Sequence, residues 1–310
     1  MEPILHHYDI SPYSEKVRLI FGLKQMSWRS VIQPMVLPKP HLIPLSGGYR
    51  RIPVLQIGAD IFCDTNLIAA TLERLQPEPT IFPGGRRAET EIWCTWAERV
   101  LMWPTARYVT FVNDDRLGAA FHADRAAMRG HPPPNAAEMA AAIPHHREQC
   151  RIMLTWLDEL LADHRPFLLG KQPGLADFAV YQRIWWLHAF EGRATDVLDG
   201  LASLCAWTAR VKAIGHGMRI ELEAAKALDV ARVSAPDAAL HPTGLPLPPA
   251  AGAIITIGTE GHAPDATIGT VVRATAEAIA LTRDDDRLGR LMVHFPRLGY
   301  HWQLSGEPGR

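Results

Sequence analysis

The stretch ILHHYDI at residues 4–10, followed at once by SPYSEKVR at residues 11–18, decides the fold. Its first half is a short, largely apolar run typical of a strand. Ser11 and Pro12 then begin a helix, because a serine hydroxyl accepts from the free N–H groups of a first turn and proline's fixed φ suits the first helical position. One apolar helical face follows, formed by Val17, Ile20 and Phe21. A hydroxyl at the positive end of a helix can help to hold an anion, although Ser11 taken alone is more simply a helix cap.

The composition describes an ordinary globular protein. The chain has 310 residues, of which 47% are hydrophobic and 21% charged, so it is long enough for two or more domains. The 32 basic and 33 acidic residues leave a formal charge of −1. This balance gives no indication of a nucleic-acid partner or of binding to an anionic membrane.

The four cysteines are far apart and show no CxxC or Cys/His ligand spacing, so we expect neither a metal site nor a disulfide framework. The chain enters its first strand without a signal peptide, and no apolar run is long enough to span a bilayer. These observations predict a cytoplasmic, reduced protein.

Residues 1–80 predict a compact α/β domain. A second strand lies within 28–36, a hairpin spans 54–63 with its turn at Gly58-Ala59-Asp60, and Asp64-Thr65 caps a helix. The resulting order, β-α-β-loop-β-β-α, fits one domain.

Three further regions follow a proline- and glycine-rich linker. Residues 86–232 read as all helical, with a kink at Pro104 and a last helical segment from about residue 218 to 228. Residues 233–252 form a proline-rich connector. Residues 253–310 alternate as a small antiparallel β module, which is too short to fold independently with ease. We therefore expect the module to fold against the rest of the protein, covering part of the helical domain or a cleft.

Three features of the first domain could form a site. The first is Ser11. The second is Ile52-Pro53, where proline enters a strand without a hydrogen to donate. The third is Asp64-Thr65, whose carboxylate and hydroxyl at a helix start could hold the ammonium and carboxylate of an amino-acid head group. A plain N-cap is the alternative explanation of the third feature.

Taken in order, these motifs resemble the glutathione S-transferase superfamily. Residues 4–75 resemble its thioredoxin-like domain, and the helical region to about residue 230 resembles its C-terminal domain. Ser11-Pro12-Tyr13-Ser14 is similar to the glutaredoxin motif Cys-Pro-Tyr-Cys with both thiols replaced, and to the Ser-Pro-Phe start of tau-like transferases. Ile52-Pro53-Val54-Leu55 resembles the family's cis-proline segment, and Asp64-Thr65 its Glu/Gln-Ser pair. Gly174-Leu175-Ala176-Asp177 resembles its helix-capping motif, with glycine in place of serine or threonine.

The resemblance implies a role for each matching residue. Ser11 would donate a hydrogen bond to the sulfur of glutathione, and the backbone of Ile52, beside cis-Pro53, would pair with its cysteinyl part. Asp64 and Thr65 would hold the γ-glutamyl head. The glycyl carboxylate would meet one of three basic residues, Lys39, His41 or Arg51. The remaining pocket would be lined by four side chains, those of Tyr13, Trp103, Arg107 and Tyr108.

The resemblance therefore implies a homodimeric glutathione transferase-like enzyme that uses glutathione as co-substrate and needs no metal. It would stabilise the glutathione thiolate for attack on a small apolar electrophile, and isomerase or dehalogenase variants would use the same thiolate. Disulfide exchange by a local dithiol is excluded, since Ser11 and Ser14 carry no thiol. The alternative is a catalytically silent scaffold that binds a protein partner through its C-terminal module.

Overall fold

The thioredoxin-like domain is present in the computed structural model, which describes residues 1–260 and 265–305. Its elements are β1 (Ile4–His7), α1 (Pro12–Leu23), β2 (Ser27–Ile32), α2 (Ile43–Ser46), β3 (Val54–Ile57), β4 (Asp60–Cys63) and α3 (Thr65–Leu75). Strand β1 lies between β2, to which it is parallel, and β3, to which it is antiparallel. Strand β4 closes the predicted hairpin with β3. The predicted fold of this domain is confirmed.

The helical domain is built from α4 (Arg87–Trp96), α5 (Met102–Val112), α6 (Asp114–Ala127), α7 (Ala136–Leu161), α8 (Leu175–Leu187) and α9 (Ala202–Lys212). A π-helical turn, Ala97–Leu101, joins α4 to α5. The turn lies just before Pro104, whose missing N–H interrupts the helical hydrogen bonding.

Gly174, which replaces serine or threonine at the start of α8, is explained by close packing. A Cβ atom at this position would lie 2.6 Å from Pro83 Cδ and 2.8 Å from the carbonyl oxygen of Ile81. Asp177 still caps the helix by accepting from the N–H of Gly174 at 3.0 Å. The glycine therefore lets α8 pack against the linker between the domains.

One helical prediction was wrong. Residues 218–221 form strand β5 (Met218–Glu221), and the helix after it is α10 (Ala224–Val233). Gly215 and Gly217 adopt φ values of +72° and +67°, which end the preceding helix. Strand β5 pairs in parallel with β2 and so covers the edge of the sheet that β2 would otherwise expose.

The C-terminal module is an antiparallel sheet, as predicted. Its strands are β6 (Ile254–Thr259), β7 (Thr267–Ala274), β8 (Ala278–Asp285), β9 (Gly289–Pro296) and β10 (Tyr300–Leu304). Strand β9 also pairs in parallel with β4 of the first domain. The result is one ten-stranded sheet in the order β10-β6-β7-β8-β9-β4-β3-β1-β2-β5. The module does fold against the body of the protein, and it does so by continuing the central sheet.

The seam between β4 and β9 is packed like a domain interior. Phe62 stacks on His294 with ring centroids 4.2 Å apart, and His294 Nε2 lies 2.8 Å from Asp60 Oδ1. Burial lowers the pKa of His294. Ile61 and Phe295 belong to a single buried apolar cluster that the two domains share. The seam therefore fixes the position of β10 relative to the first domain.

Candidate active site

Ser11 caps α1 and retains a proton that it can donate. Its Oγ accepts from the backbone N–H of Ser14 at 3.2 Å. The hydroxyl hydrogen has no acceptor among residues 1–260 and 265–305, so it is free to bond a thiolate. Ser11 is only 1% exposed, which means that surrounding side chains must move for a ligand sulfur to reach it.

Tyr13 and Ser14 contribute two more hydroxyl groups beside Ser11. Arg183 lies over the half-buried Tyr13 ring, with its Cζ 4.2 Å from the ring centroid. Within the described part of the chain, the buried atoms Arg183 Nε and Nη2 and Ser14 Oγ have no hydrogen-bond partner. Unpaired buried polar atoms are uncommon in native proteins, so the start of α1 has unused hydrogen-bonding capacity.

The Ile52–Pro53 peptide bond is cis, in agreement with the family segment that it resembles. Ile52 is half-buried and lies two residues before the start of β3. Its backbone N–H and C=O have no partner within the described ranges. These groups could therefore pair with the backbone of a bound peptide.

Asp64, which caps α3, is held in an unfavourable backbone conformation. Its φ is +76° and its ψ 138°, a region that favours glycine, and the cost to a side-chain-bearing residue is about 1–3 kcal/mol. Its carboxylate accepts from Asn66 N at 2.9 Å and lies 3.3 Å from the Tyr300 hydroxyl of the C-terminal module. Burial, assisted by the nearby charge of Glu98, raises the pKa of Asp64. The residue as a whole is half-buried.

A buried lysine joins the two helix starts. Lys16 Nζ, one turn after Ser11, donates to Thr65 Oγ1 at 3.2 Å, Asn66 Oδ1 at 2.6 Å and Glu98 Oε1 at 2.6 Å. Together with Asp64, this cluster carries one positive and two negative charges. A bound ammonium group would balance them. Sequence reasoning did not single out Lys16, Asn66 or Glu98, since nothing in their local pattern separates them from solvated helix residues.

The basic residues proposed for the glycyl carboxylate differ in accessibility. Lys39 is buried, and its Nζ donates to the carbonyl of Arg50 at 2.8 Å. Burial lowers the pKa of Lys39 to about 7. Arg51 is half-buried, with its Nε 3.8 Å from Asp265 Oδ2 of the C-terminal module. His41 is also half-buried. Arg51, next to Ile52, is the better placed of the three.

The helical domain brings Trp103 and Arg107 together and directs Tyr108 elsewhere. The Cζ of Arg107 lies 5.8 Å from the Trp103 ring centroid. Tyr108 is buried, and its hydroxyl donates to Asp196 in the helical domain. A third residue, Arg129, lies over the same tryptophan with its Cζ 4.8 Å from the centroid. Sequence reasoning missed it, because it follows α6 in a segment that looked like a polar gap.

Residues 1–260 and 265–305 contain no group of three or more His, Cys, Asp or Glu side chains placed to hold a metal ion. Within the same ranges, every helix is too short or too polar to cross a membrane.

Comparison with known proteins establishes the family. Residues 5–80 match the family model of the glutathione S-transferase N-terminal domain, and residues 140–210 match that of the C-terminal domain. The crystal structure of a GST-like protein from Pseudomonas syringae is 32% identical, with a TM-score of 0.80, over 98% of this chain and 99% of that chain. The chain belongs to the glutathione S-transferase superfamily, in which glutathione is the co-substrate.

Two other relatives match a smaller part of the chain. A glutathione S-transferase from Rhodospirillum rubrum F11 is 20% identical with a TM-score of 0.54, over 68% of this chain and 87% of that chain, and this likeness shows the fold alone. FtsZ-localized protein A of Caulobacter vibrioides (strain NA1000 / CB15N) is 26% identical over 183 residues, which are 58% of this chain and 74% of that protein. The Pseudomonas match, at 98% of this chain, takes in the C-terminal module as well.

Proposed function

We propose that this protein is a glutathione transferase-like enzyme in which Ser11 stabilises the glutathione thiolate for attack on an electrophile. Ile52 would pair with the cysteinyl backbone of the tripeptide, and Asp64 and Thr65 would hold its γ-glutamyl head. Arg51 would meet the glycyl carboxylate. The proposal includes two variant reactions, isomerisation and dehalogenation, which would use the same glutathione thiolate.

The backbone conformation of Asp64 carries the proposal. A glycine would adopt φ +76° without strain, yet the chain has an aspartate there and holds it with Asn66 and Tyr300. Strain of this kind persists where the surrounding structure imposes it, and it concentrates at ligand sites. Asp64 also lies beside a cluster with one unbalanced negative charge, which a bound ammonium group would neutralise.

The Ser11 hydroxyl and the positive end of α1 together can supply the free energy needed to lower the pKa of the glutathione thiol. A free thiol has a pKa near 8.5, and lowering it by about two units corresponds to roughly 2.7 kcal/mol. A hydrogen bond to a charged group contributes about 1.5–3 kcal/mol, and the positive end of a helix adds about 0.3–1 kcal/mol. The thiolate then attacks without a covalent enzyme intermediate, because the enzyme holds both reactants in position.

The test combines glutathione binding with turnover in two variants of the full-length chain. Ser11→Ala should lower kcat with an activated chloroarene while the affinity for S-methylglutathione stays unchanged, because most tripeptide contacts lie elsewhere. Tyr13→Phe is the matched control, since it removes the neighbouring hydroxyl. Unchanged turnover in Ser11→Ala would contradict the role of Ser11, and a loss confined to Tyr13→Phe would transfer that role to Tyr13.

The second candidate function is a catalytically silent scaffold that binds a protein partner through the C-terminal module. Two observations favour it: the 1% exposure of Ser11 and the similarity to a relative named FtsZ-localized protein A. The module also exposes two isoleucines, Ile254 and Ile268, on adjacent strands. Absence of glutathione binding by the purified protein would favour this candidate over the enzyme.

We also propose that the protein works in the cytoplasm as a homodimer. The cysteines are unpaired thiols, three of them buried, as a reducing compartment allows. Size-exclusion chromatography with light scattering would test the dimer, and a monomer in solution would contradict it.

A further inference from the structure

Two arginines lie over Trp103 without a counter-charge in the part of the chain that the structure describes. The guanidinium carbons of Arg107 and Arg129 lie 5.8 and 4.8 Å from the Trp103 ring centroid, and neither side chain has an ion-pair or hydrogen-bond partner among residues 1–260 and 265–305. Other arginines of this domain are paired, for example Arg116 with Glu191 at 2.8 Å. Stacking on an indole holds a guanidinium in place while its N–H edge stays free.

The arginine pair lies on the side of the helical domain that faces the candidate site. Arg125, one turn before Arg129, reaches across to the first domain, where its Nη2 lies 3.4 Å from the Tyr8 hydroxyl and 3.0 Å from the carbonyl oxygen of Met35. Burial and the charges of Arg107, Arg125 and Arg51 lower the pKa of Arg129 to about 10, and Tyr13 acts in the opposite direction. Arg129 is therefore within electrostatic reach of residues beside both Ser11 and Ile52.

The carboxylates in this region are already engaged with other cations. Asp124 pairs with Arg50 at 2.7 Å and also with Arg125. Asp265 lies 3.7 Å from Arg50 Nε and 3.8 Å from Arg51 Nε. Arg107 and Arg129 thus leave a local excess of positive charge next to a half-buried tryptophan.

We propose that the second substrate is an aromatic carboxylate, with its anionic group bound by Arg107 and Arg129 and its ring beside Trp103. This inference rests on the proposed transferase function and names the substrate class of that same site. Planar guanidinium groups recognise carboxylates through paired, charge-assisted hydrogen bonds, which gives orientation as well as affinity. The electrophile is then an anion rather than the purely apolar molecule expected from the family resemblance.

A chloronitrobenzoate and its neutral carboxamide form a matched pair of probes. In both, the glutathione thiolate attacks the ring carbon that carries chlorine, a C–S bond forms, and the C–Cl bond breaks. Chloride leaves with the bonding electrons, and the thiol proton passes to solvent. No oxidant or metal is required. The kcat/KM for each probe is divided by its uncatalysed rate with glutathione, because the two rings differ in intrinsic reactivity.

The full-length protein should prefer the carboxylate by about tenfold or more, the equivalent of one charge-assisted hydrogen bond of about 1.4 kcal/mol. Arg129→Gln and Arg107→Gln should each lower kcat/KM for the carboxylate by about tenfold and that for the carboxamide by much less, so that most of the preference is lost. Arg116→Gln, a paired surface arginine, is the control and should change neither rate. Equal loss of both probes, or a raised KM for glutathione in Arg129→Gln, would overturn the inference.

A binding measurement distinguishes failure of this inference from failure of the proposed transferase function. If neither probe is turned over, titration calorimetry with the chloronitrobenzoate decides the matter. Binding of the acid but not of the amide, lost in Arg129→Gln, would support the anion site while refuting the transferase. Equal affinity for the acid and for the amide would refute the anion site.

Discussion

Replacing Tyr300 by phenylalanine tests whether the C-terminal module supports the candidate site. The Tyr300 hydroxyl lies 3.3 Å from Asp64 Oδ2 and 3.2 Å from the Tyr49 hydroxyl. Because it has one proton and the carboxylate is the stronger acceptor, Tyr300 donates to Asp64 and accepts from Tyr49. A hydrogen bond to a charged group contributes about 1.5–3 kcal/mol, and 3.3 Å is a long contact, so we expect the lower value, about 1.5 kcal/mol.

The effect should depend on pH with a definite sign. The pKa of Asp64 is raised in the folded protein, mainly by burial, so its contribution to stability is fully present below the unfolded value of about 3.9 and is lost as pH rises through the folded pKa. The Tyr300 hydroxyl opposes this rise in the pKa of Asp64, because it donates a hydrogen bond to the ionised carboxylate. Tyr300→Phe should therefore destabilise the protein most above the folded pKa of Asp64 and least where Asp64 is protonated.

Urea unfolding across this pH range measures the stability, and calorimetry with S-methylglutathione measures the site. S-methylglutathione has no free thiol, so the pH dependence of its binding reports the protonation of Asp64 without a contribution from the sulfur. The pH at which affinity is lost on acidification should rise in Tyr300→Phe, because the ionised carboxylate of Asp64 loses a hydrogen bond that stabilises it. Tyr181→Phe is the control, since Tyr181 is also a buried tyrosine and no hydrogen bond of its hydroxyl is found among residues 1–260 and 265–305. Unfolding and binding curves identical to those of the unmodified protein would refute the link between the module and Asp64.

Three further predictions concern the framework of the site. Lys16→Met should lower the free energy of unfolding by about 3–5 kcal/mol in urea titrations, because it leaves the carboxylate of Glu98 unpaired in the interior. The control, Lys226→Met, removes an exposed lysine and should have little effect. Equal effects of the two substitutions would contradict this prediction. Gly174→Ala should cost about 1–3 kcal/mol in the same assay, since its Cβ would lie 2.6 Å from Pro83 Cδ, and an unchanged midpoint would show that the linker yields freely. Removal of residues 253–310 should cause aggregation by uncovering the edge of β4, as light scattering would show, and an unchanged melting temperature and oligomeric state would mark the module as autonomous.

The first domain could be predicted closely because its signals are local. The serine and proline at the start of α1, the turn at residues 58–60 and the cap of α3 each act over a few residues, and each was found in its predicted place. The antiparallel module was predictable for the same reason, since alternation over each strand and the turn between β8 and β9 are local features.

The contacts that join distant segments could not be predicted in this way. Parallel pairing of β9 with β4 connects residues more than two hundred positions apart, and no local pattern records it. Strand β5 is only four residues long within a helical region, so its own pattern is too short to identify. Arg129 was missed because α6 contains Gly118 at φ +73°, which weakens the helical signal before it.

The pKa of the thiol in bound glutathione reports directly whether Ser11 stabilises the thiolate. Ultraviolet difference spectroscopy of the thiolate, recorded against pH in the complex with the full-length protein, gives this value. We expect the thiol pKa to fall from about 8.5 in free glutathione to about 6.5 when bound, and to return toward 8.5 in Ser11→Ala with S-methylglutathione affinity unchanged. A bound thiol that titrates like free glutathione, or one whose pKa is the same in Ser11→Ala, would contradict thiolate stabilisation by Ser11.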